Sequence, residues 1–204
     1  MTSDEFRQLM ADNNDDDLLG PCLNDDLTPY VFGARTDIWT DFREEISGEF
    51  GVPAADIRII GSARLGFSLK PGANLRRYGD TSDVDVIVIN ANLFDYVWLS
   101  LLDAAYPRPP ATELVGGWLQ DRRGEIYTGW INPLEIRLDR RIFGARAEAV
   151  LSFNSRWFNI FKRVSRLLIR RHEDVTGRLY RTIDHATLYH LNSLAALRRT
   201  LSPT

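Results

Sequence analysis

Two aspartates, Asp83 and Asp85, open the chemically most informative run of this chain, an apolar stretch that ends at Ile89. Because a β-strand alternates its side chains between two faces, a spacing of two predicts that both carboxylates point to the same side. Neighbouring carboxylates repel each other, and burying the pair is costly unless a cation lies between them. Mg²⁺ is the usual partner of one or two carboxylates and a substrate phosphate. The alternative is a strand that ends in a solvated acidic turn.

A glycine–serine turn precedes the two aspartates. Ile57 to Ile60 is predicted to be a short apolar strand, and it runs directly into Gly61 and Ser62. Glycine lets the backbone approach a ligand closely, and free amides at the start of a helix bind phosphate. The predicted order is therefore strand, glycine–serine turn, connection, and a second strand that carries the two aspartates.

This order resembles the nucleotidyltransferase superfamily related to DNA polymerase β, whose signature is Gly-Ser followed by two aspartates in an apolar strand. The resemblance covers about residues 57–90, less than a fifth of the chain. It implies an α+β fold in which helices flank a mixed β-sheet. It also implies that Gly61 and Ser62 face the triphosphate of a nucleotide. Asp83 and Asp85 would then be catalytic and hold two Mg²⁺ ions, for which Mn²⁺ can substitute.

The connection between the two motifs is longer than in the most compact members of that superfamily. Residues 70–80 contain proline, two glycines and several cations, which predicts a flexible basic loop. Arginine forks suit phosphate oxygens, so cations of this region are candidate phosphate ligands, and a solvated loop is the alternative. The candidate nucleotide-binding residues are Gly61, Ser62, Arg64, Lys70 and Arg76.

Many nucleotidyltransferases of this type carry a third carboxylate on a later strand, which binds the catalytic metal and helps to deprotonate the attacking hydroxyl. Asp139 and Asp184 are equal candidates for this role in the present chain. Asp139 shares a face with Glu135 if residues 134–139 form a strand, and Asp184 follows a segment that reads as extended. The ordinary alternatives are a surface acid for Asp139 and a helix cap for Asp184.

Composition bounds the class of protein. The chain has 204 residues, of which 44% are hydrophobic, and this is enough for one domain with a helical annex. A formal net charge of −3 argues against a strongly basic nucleic-acid-binding protein. The single cysteine, Cys22, excludes an intrachain disulfide and fits a cytoplasmic location. No run approaches the roughly 18 apolar residues that a membrane helix requires, so no membrane association is expected.

Periodicity predicts the elements around the motifs. Apolar residues at helical spacing indicate helices over residues 36–50, 92–105 and 145–171, and a last helix that Asp184 caps. Alternation over residues 125–131 predicts a strand, and residues 134–139 read either as a strand or as the start of a helix. The predicted division is an acidic, partly flexible segment over 1–30, a nucleotidyltransferase-like core over 31–144, and a helical portion over 145–204 that packs on the core.

Three functions remain open at this point. The first is a Mg²⁺-dependent nucleotidyltransferase that moves a nucleoside monophosphate from an NTP to a hydroxyl acceptor and releases pyrophosphate. The resemblance leaves the acceptor open among RNA ends, proteins, small molecules and other nucleotides, and the superfamily includes toxin–antitoxin and antiviral-defence proteins. The alternative is a catalytically inactive module that binds nucleotide, RNA or a partner protein. A weaker hypothesis is RNA binding through the basic residues 162–171.

Overall fold

The computed structural model describes residues 1–23, 27–79, 82–106, 122–166 and 174–201. It confirms the predicted fold class, because helices flank a mixed four-stranded sheet. The strands are β1 (Ile57–Ile60), β2 (Val84–Ile89), β3 (Trp130–Ile131) and β4 (Val175–Tyr180). The helices are α1 (Ser3–Asp12), α2 (Asp15–Leu23), α3 (Thr36–Phe50), α4 (Gly61–Leu65), α5 (Ala91–Ala105), α6 (within 122–127), α7 (Arg140–Phe143), α8 (Glu148–Val164) and α9 (Ile183–Leu201).

The strand order of the sheet is β1-β2-β4-β3. Strand β2 is antiparallel to β1 and parallel to β4, whereas β3 is antiparallel to β4. In this register Asp85 lies between Ile60 of β1 and Thr176 of β4. The first residues of β2 and β4 therefore meet at the edge of the sheet where β1 ends.

The two faces of the sheet are covered by different helices. Val84, Val86 and Val88 face a core that is formed with α3, α5 and α8. Ile87 and Ile89 face a second core that is formed with α1, α2 and α9. Alternation along β2 places Asp85 on the same face as Ile87, so the aspartate belongs to the α9 side of the sheet.

The helix predictions around the motifs hold in most details. Helix α3 has the predicted bounds and ends at Gly51, whose left-handed backbone closes the helix. Helix α5 begins at Ala91, one residue before the predicted start, and its cap is Asn90, whose side chain accepts a hydrogen bond from the amide of Leu93. The apolar stripe of α8 is buried up to Val164, and residues 167–171 of the predicted helix lie outside the described residues.

The strand prediction over residues 125–131 was wrong in its first half. Residues 122–127 are helical, and only Trp130–Ile131 pairs with β4. Gly129 ends the helical turn with a φ of +79°, and a short alternating run does not by itself distinguish one helical turn from a strand. Residues Pro133–Glu135 form a 3₁₀ turn, so the segment that contains Asp139 is neither a strand nor the start of α8.

The acidic N-terminal segment is folded where the structure describes it. Phe6 and Leu18 of α1 and α2 are fully buried in the core on the α9 side of the sheet. Arg198 of α9 donates hydrogen bonds to the Asp15 carboxylate and to the carbonyl oxygen of Asn13. Residues 24–26 of the predicted flexible stretch lie outside the described residues.

The last third of the chain completes the sheet. Strand β4 lies between β2 and β3, so the four strands come from both sides of the predicted boundary at residue 144. Within the described ranges, none of the helices combines the length and apolar character needed to cross a membrane.

Candidate functional site

Asp85 is a partly buried carboxylate, and among the described residues Thr176 and Arg178 are the groups that favour its charged form. The hydroxyl of Thr176 donates a hydrogen bond of 3.0 Å to Asp85 Oδ1. Burial raises the pKa of Asp85, the Thr176 hydrogen bond and the charge of Arg178 oppose that rise, and the charge of Asp83 adds to it. A carboxylate of this kind gains from binding either a proton or a metal cation.

Gly61 lies directly against this carboxylate. It has a φ of +66°, and a Cβ atom built at this position would lie 3.4 Å from Asp85 Oδ2. Gly61 follows the last residue of β1 and begins α4, and Ser62 is partly buried beside it. The structure therefore brings together the glycine of the turn and the second aspartate of the strand.

Asp83 is exposed and lies just before β2 begins. Its charge acts on Asp85, so the two carboxylates lie in one electrostatic field. Exposure leaves the Asp83 side chain free to turn toward a ligand, whereas the strand and the Thr176 hydrogen bond hold Asp85.

The basic connection is more ordered than the flexible loop predicted for it. Phe67 and Arg77 pair as an antiparallel bridge, so residues 66–78 form a closed hairpin. Leu75 inside this hairpin is only 3% exposed. Lys70 and Arg76 are exposed at its surface, and residues 80–81 lie outside the described residues. The phosphate-binding role of Lys70 and Arg76 stays a prediction.

Arg64 has structural contacts in this fold. It is only 7% exposed, and its guanidinium donates hydrogen bonds to the carbonyl oxygens of Pro21 and Leu27. These bonds tie α4 to the end of α2. These hydrogen bonds join Arg64 to backbone atoms, and its contact with nucleotide stays a prediction.

None of the described contacts joins Asp85 to either predicted third acid. Asp139 caps α7 and forms an ion pair with Arg141, whose hydrogen bonds lower the pKa of Asp139. Asp184 lies in the first turn of α9, after the far end of β4, and Thr176 is about 13 Å from that end at 3.3 Å per strand residue.

Asp174 is the acidic residue that the sequence reasoning missed. Its carbonyl oxygen accepts a 2.9 Å hydrogen bond from the amide of Val84, and Val84 pairs with Val175. Continuing this register by one residue places Asp174 beside Asp83, and its side chain is exposed. The available signal was the alternation of Asp174 with Thr176 in the segment that precedes Asp184.

A small polar cavity of about 80 Å³ lies next to Asp85. Thr176 and Arg178 of β4 line it, together with Asn132. The cavity has room for ordered water beside Asp85.

The donor set at this edge fits a hard divalent cation bound with a phosphate ligand. Asp83 and Asp85 supply carboxylate oxygens, which Mg²⁺ prefers, and Mg²⁺ keeps its remaining positions for water and phosphate oxygens. In the part of the chain that the structure describes, no group of three or more His, Cys, Asp and Glu side chains is arranged to hold a metal. The fit therefore depends on the two aspartates and on a ligand that brings its own oxygens.

Comparison with known proteins adds no further assignment. No family model, curated protein or solved structure matches this chain. The resemblance to nucleotidyltransferases therefore depends on residues 57–90 and on the contacts described above, and it stays a prediction.

His190 of α9 should make the free energy of unfolding depend on pH. Burial, with a smaller effect of the Arg178 charge, lowers the pKa of His190 to about 4. Because the unfolded chain takes up this proton near pH 6.5, stability should fall as the pH drops from 6.5 to 4, by about 3 kcal/mol for this group. We expect His190→Leu to lose less stability than wild type over this range, as measured by urea unfolding at several pH values. Parallel curves for the two proteins would contradict the prediction.

Proposed function

We propose that this chain is a Mg²⁺-dependent nucleotidyltransferase. The observation that carries the proposal is the contact of Gly61 with Asp85, at an edge where Asp83 adds a second carboxylate. A phosphate bound at the Gly61 turn would lie beside these carboxylates, and two such anionic groups require a cation between them.

Each residue of the site has a defined role in this proposal. Asp83 and Asp85 hold the divalent cation, which supplies charge stabilisation at the transferred phosphoryl group when it is bound. The backbone at Gly61 approaches the phosphates closely because no side chain intervenes, and the Ser62 hydroxyl is a candidate donor to them. Thr176 holds Asp85 in place through its hydrogen bond.

The reaction is a substitution at phosphorus. The oxygen of an acceptor hydroxyl forms a bond to the α-phosphorus, the bond from that phosphorus to the oxygen bridging the β-phosphate breaks, and pyrophosphate leaves. The hydroxyl proton passes to a base. Asp174 is our candidate for this base, since it continues the register beside Asp83.

Asp174→Asn tests that assignment. Loss of a general base lowers the rate by about 10²–10⁴-fold, and we expect a decrease of this size in single-turnover transfer with saturating Mg²⁺. Asp139→Asn and Asp184→Asn are matched controls that should retain activity close to wild type. A fully active Asp174→Asn variant would remove Asp174 from the mechanism.

The proposed function is tested by incubating the full chain with each α-labelled NTP and Mg²⁺, with RNA, protein and nucleotide acceptors. We expect label transfer and pyrophosphate release that the double variant Asp83→Asn/Asp85→Asn lacks. Asp37→Asn/Asp41→Asn removes the same charge from two exposed residues of α3 and should stay active. Label transfer that is equal in both double variants would contradict the proposal.

The alternative is a module that binds nucleotide without turnover. It is favoured by Thr176, which pairs with Asp85 and carries no carboxylate, and by Arg178, a cation that lines the same cavity. Nucleotide binding that depends on Asp85, with no transfer to any acceptor, would support it. The acceptor, a cytoplasmic location and a role in toxin–antitoxin systems or antiviral defence remain proposals that depend on the resemblance.

A further inference from the structure

Arg178 is a cation that lines the cavity beside the candidate metal site. Alternation along β4 puts Thr176 and Arg178 on the face of the sheet that carries Asp85. Arg178 and Asp85 line the same cavity of about 80 Å³. The charge of Arg178 acts on the Asp85 carboxylate, so the two groups are electrostatic neighbours.

The guanidinium of Arg178 is held in place by aromatic rings. It lies 5.4 Å from the ring centre of Trp130 and 5.1 Å from that of Tyr189, and it donates a 3.1 Å hydrogen bond to the Tyr189 hydroxyl. Stacking of this kind orients the planar guanidinium without neutralising it. Among the described residues, Arg178 forms no ion pair within 4.0 Å, although Asp85 and Glu125 feel its charge.

A second divalent ion bound to Asp85 within this cavity would lie next to the guanidinium of Arg178. Two cations that share Asp85 repel each other, and a partly buried arginine keeps its proton, so it does not give way. The guanidinium can instead meet phosphate oxygens with two parallel hydrogen bonds, which is the geometry arginine provides.

Building on the proposed function, we infer that this site binds one divalent cation per chain and that Arg178 supplies to the bound triphosphate the positive charge that a second metal ion would bring. The inference concerns the number of ions and the role of one residue. It does not depend on which acceptor the chain uses.

The test counts bound ions. Mn²⁺ is titrated into the full chain together with an NTP analogue in which a methylene group replaces the oxygen between the α- and β-phosphates, and free Mn²⁺ is followed by electron paramagnetic resonance. We expect one Mn²⁺ bound per wild-type chain in the ternary complex. Two bound ions would overturn the inference and leave the proposed function intact. Absence of Mn²⁺ and analogue binding would overturn both.

Variants of Arg178 test the role of the residue. Arg178→Met should weaken analogue binding about 10- to 100-fold, the effect of one charge-assisted contact, and should weaken the monophosphate less than the triphosphate. Unchanged affinity for the triphosphate would overturn the inference.

Two control variants keep this test interpretable. Arg199→Met removes an exposed arginine near the end of α9 and should bind like wild type. Arg178→Lys keeps the charge without the planar fork, so we expect one bound Mn²⁺ and an affinity between those of Arg178→Met and wild type. If Arg178→Met does not fold, Arg178→Lys and the number of ions bound by wild type still test the inference. A wild-type affinity of Arg178→Lys for the analogue, together with two bound Mn²⁺ ions, would contradict both parts of it.

Discussion

Asp85→Asn should reduce nucleotidyl transfer by about 10³-fold, because it removes the charge of the carboxylate that lies beside Gly61. Asparagine has nearly the same shape as aspartate and can accept the hydrogen bond from Thr176, so the change isolates the charge. Transfer is measured in a single turnover with excess enzyme, so that product release does not mask the effect.

The same substitution should leave the free protein at least as stable at neutral pH. Burial raises the pKa of Asp85, so the unfolded chain ionises this group at a lower pH than the folded chain does. Above that range the ionised carboxylate lowers the free energy of unfolding, and removing its charge relieves this cost. Thermal unfolding with a metal chelator present should show an equal or higher midpoint for Asp85→Asn.

Addition of Mg²⁺ and nucleotide should reverse that order of stability. A ligand that binds only the folded state raises its stability by mass action, and we expect this gain for wild type but not for Asp85→Asn. An active Asp85→Asn variant would contradict the proposed function. A variant that is unstable even with the chelator present would instead indicate a structural role for Asp85.

The second large effect concerns the packing that positions β4. Gly177 lies against the rings of Phe161 and Trp157 on α8, and a Cβ atom at residue 177 would overlap the Phe161 ring. Gly177→Ala should therefore cost about 1–3 kcal/mol as overpacking. Phe161→Ala should cost about 3–5 kcal/mol, since Phe161 is a buried core residue. Both free energies of unfolding are measured with urea.

The double variant should be less destabilised than the sum of the two single changes. Removal of the Phe161 ring makes room for the new methyl group, and residues in contact couple by about 0.5–3 kcal/mol. Gly48→Ala is the matched control, because its new Cβ atom would meet nothing within 4 Å and alanine favours the interior of α3. Additive losses in the double variant would show that β4 does not pack on α8 at Gly177.

Local sequence patterns predicted the part of the site that β1, Gly61 and β2 form. The apolar run after Asp85 and the strand before Gly61 are short and bounded by turns, so both were readable as strands from residue type and spacing. Helix α3 was equally clear, because its apolar residues keep a helical period and Gly51 ends it. The fold class was implied by the resemblance that the two motifs on these elements carry.

The hairpin over residues 66–78 shows where composition misleads. Proline, glycine and cations indicated a flexible loop, and the described part is instead closed by backbone hydrogen bonds and anchored by the buried Leu75. A single apolar side chain in a polar segment forms no periodic pattern, so the local sequence did not predict that Leu75 would be buried in the core.

Residue types and spacing were sufficient to bring Asp83, Asp85 and Gly61 into one hypothesis, since these residues lie on two adjacent elements of the chain. The other half of the site came from the folded chain alone. Thr176 is 91 residues from Asp85, and a parallel pairing over that separation leaves no local pattern to detect. The side chains opposite the aspartates, Asp174, Thr176 and Arg178, could therefore be identified only once the sheet was assembled, because long-range strand pairing is decided by packing on both faces of the sheet.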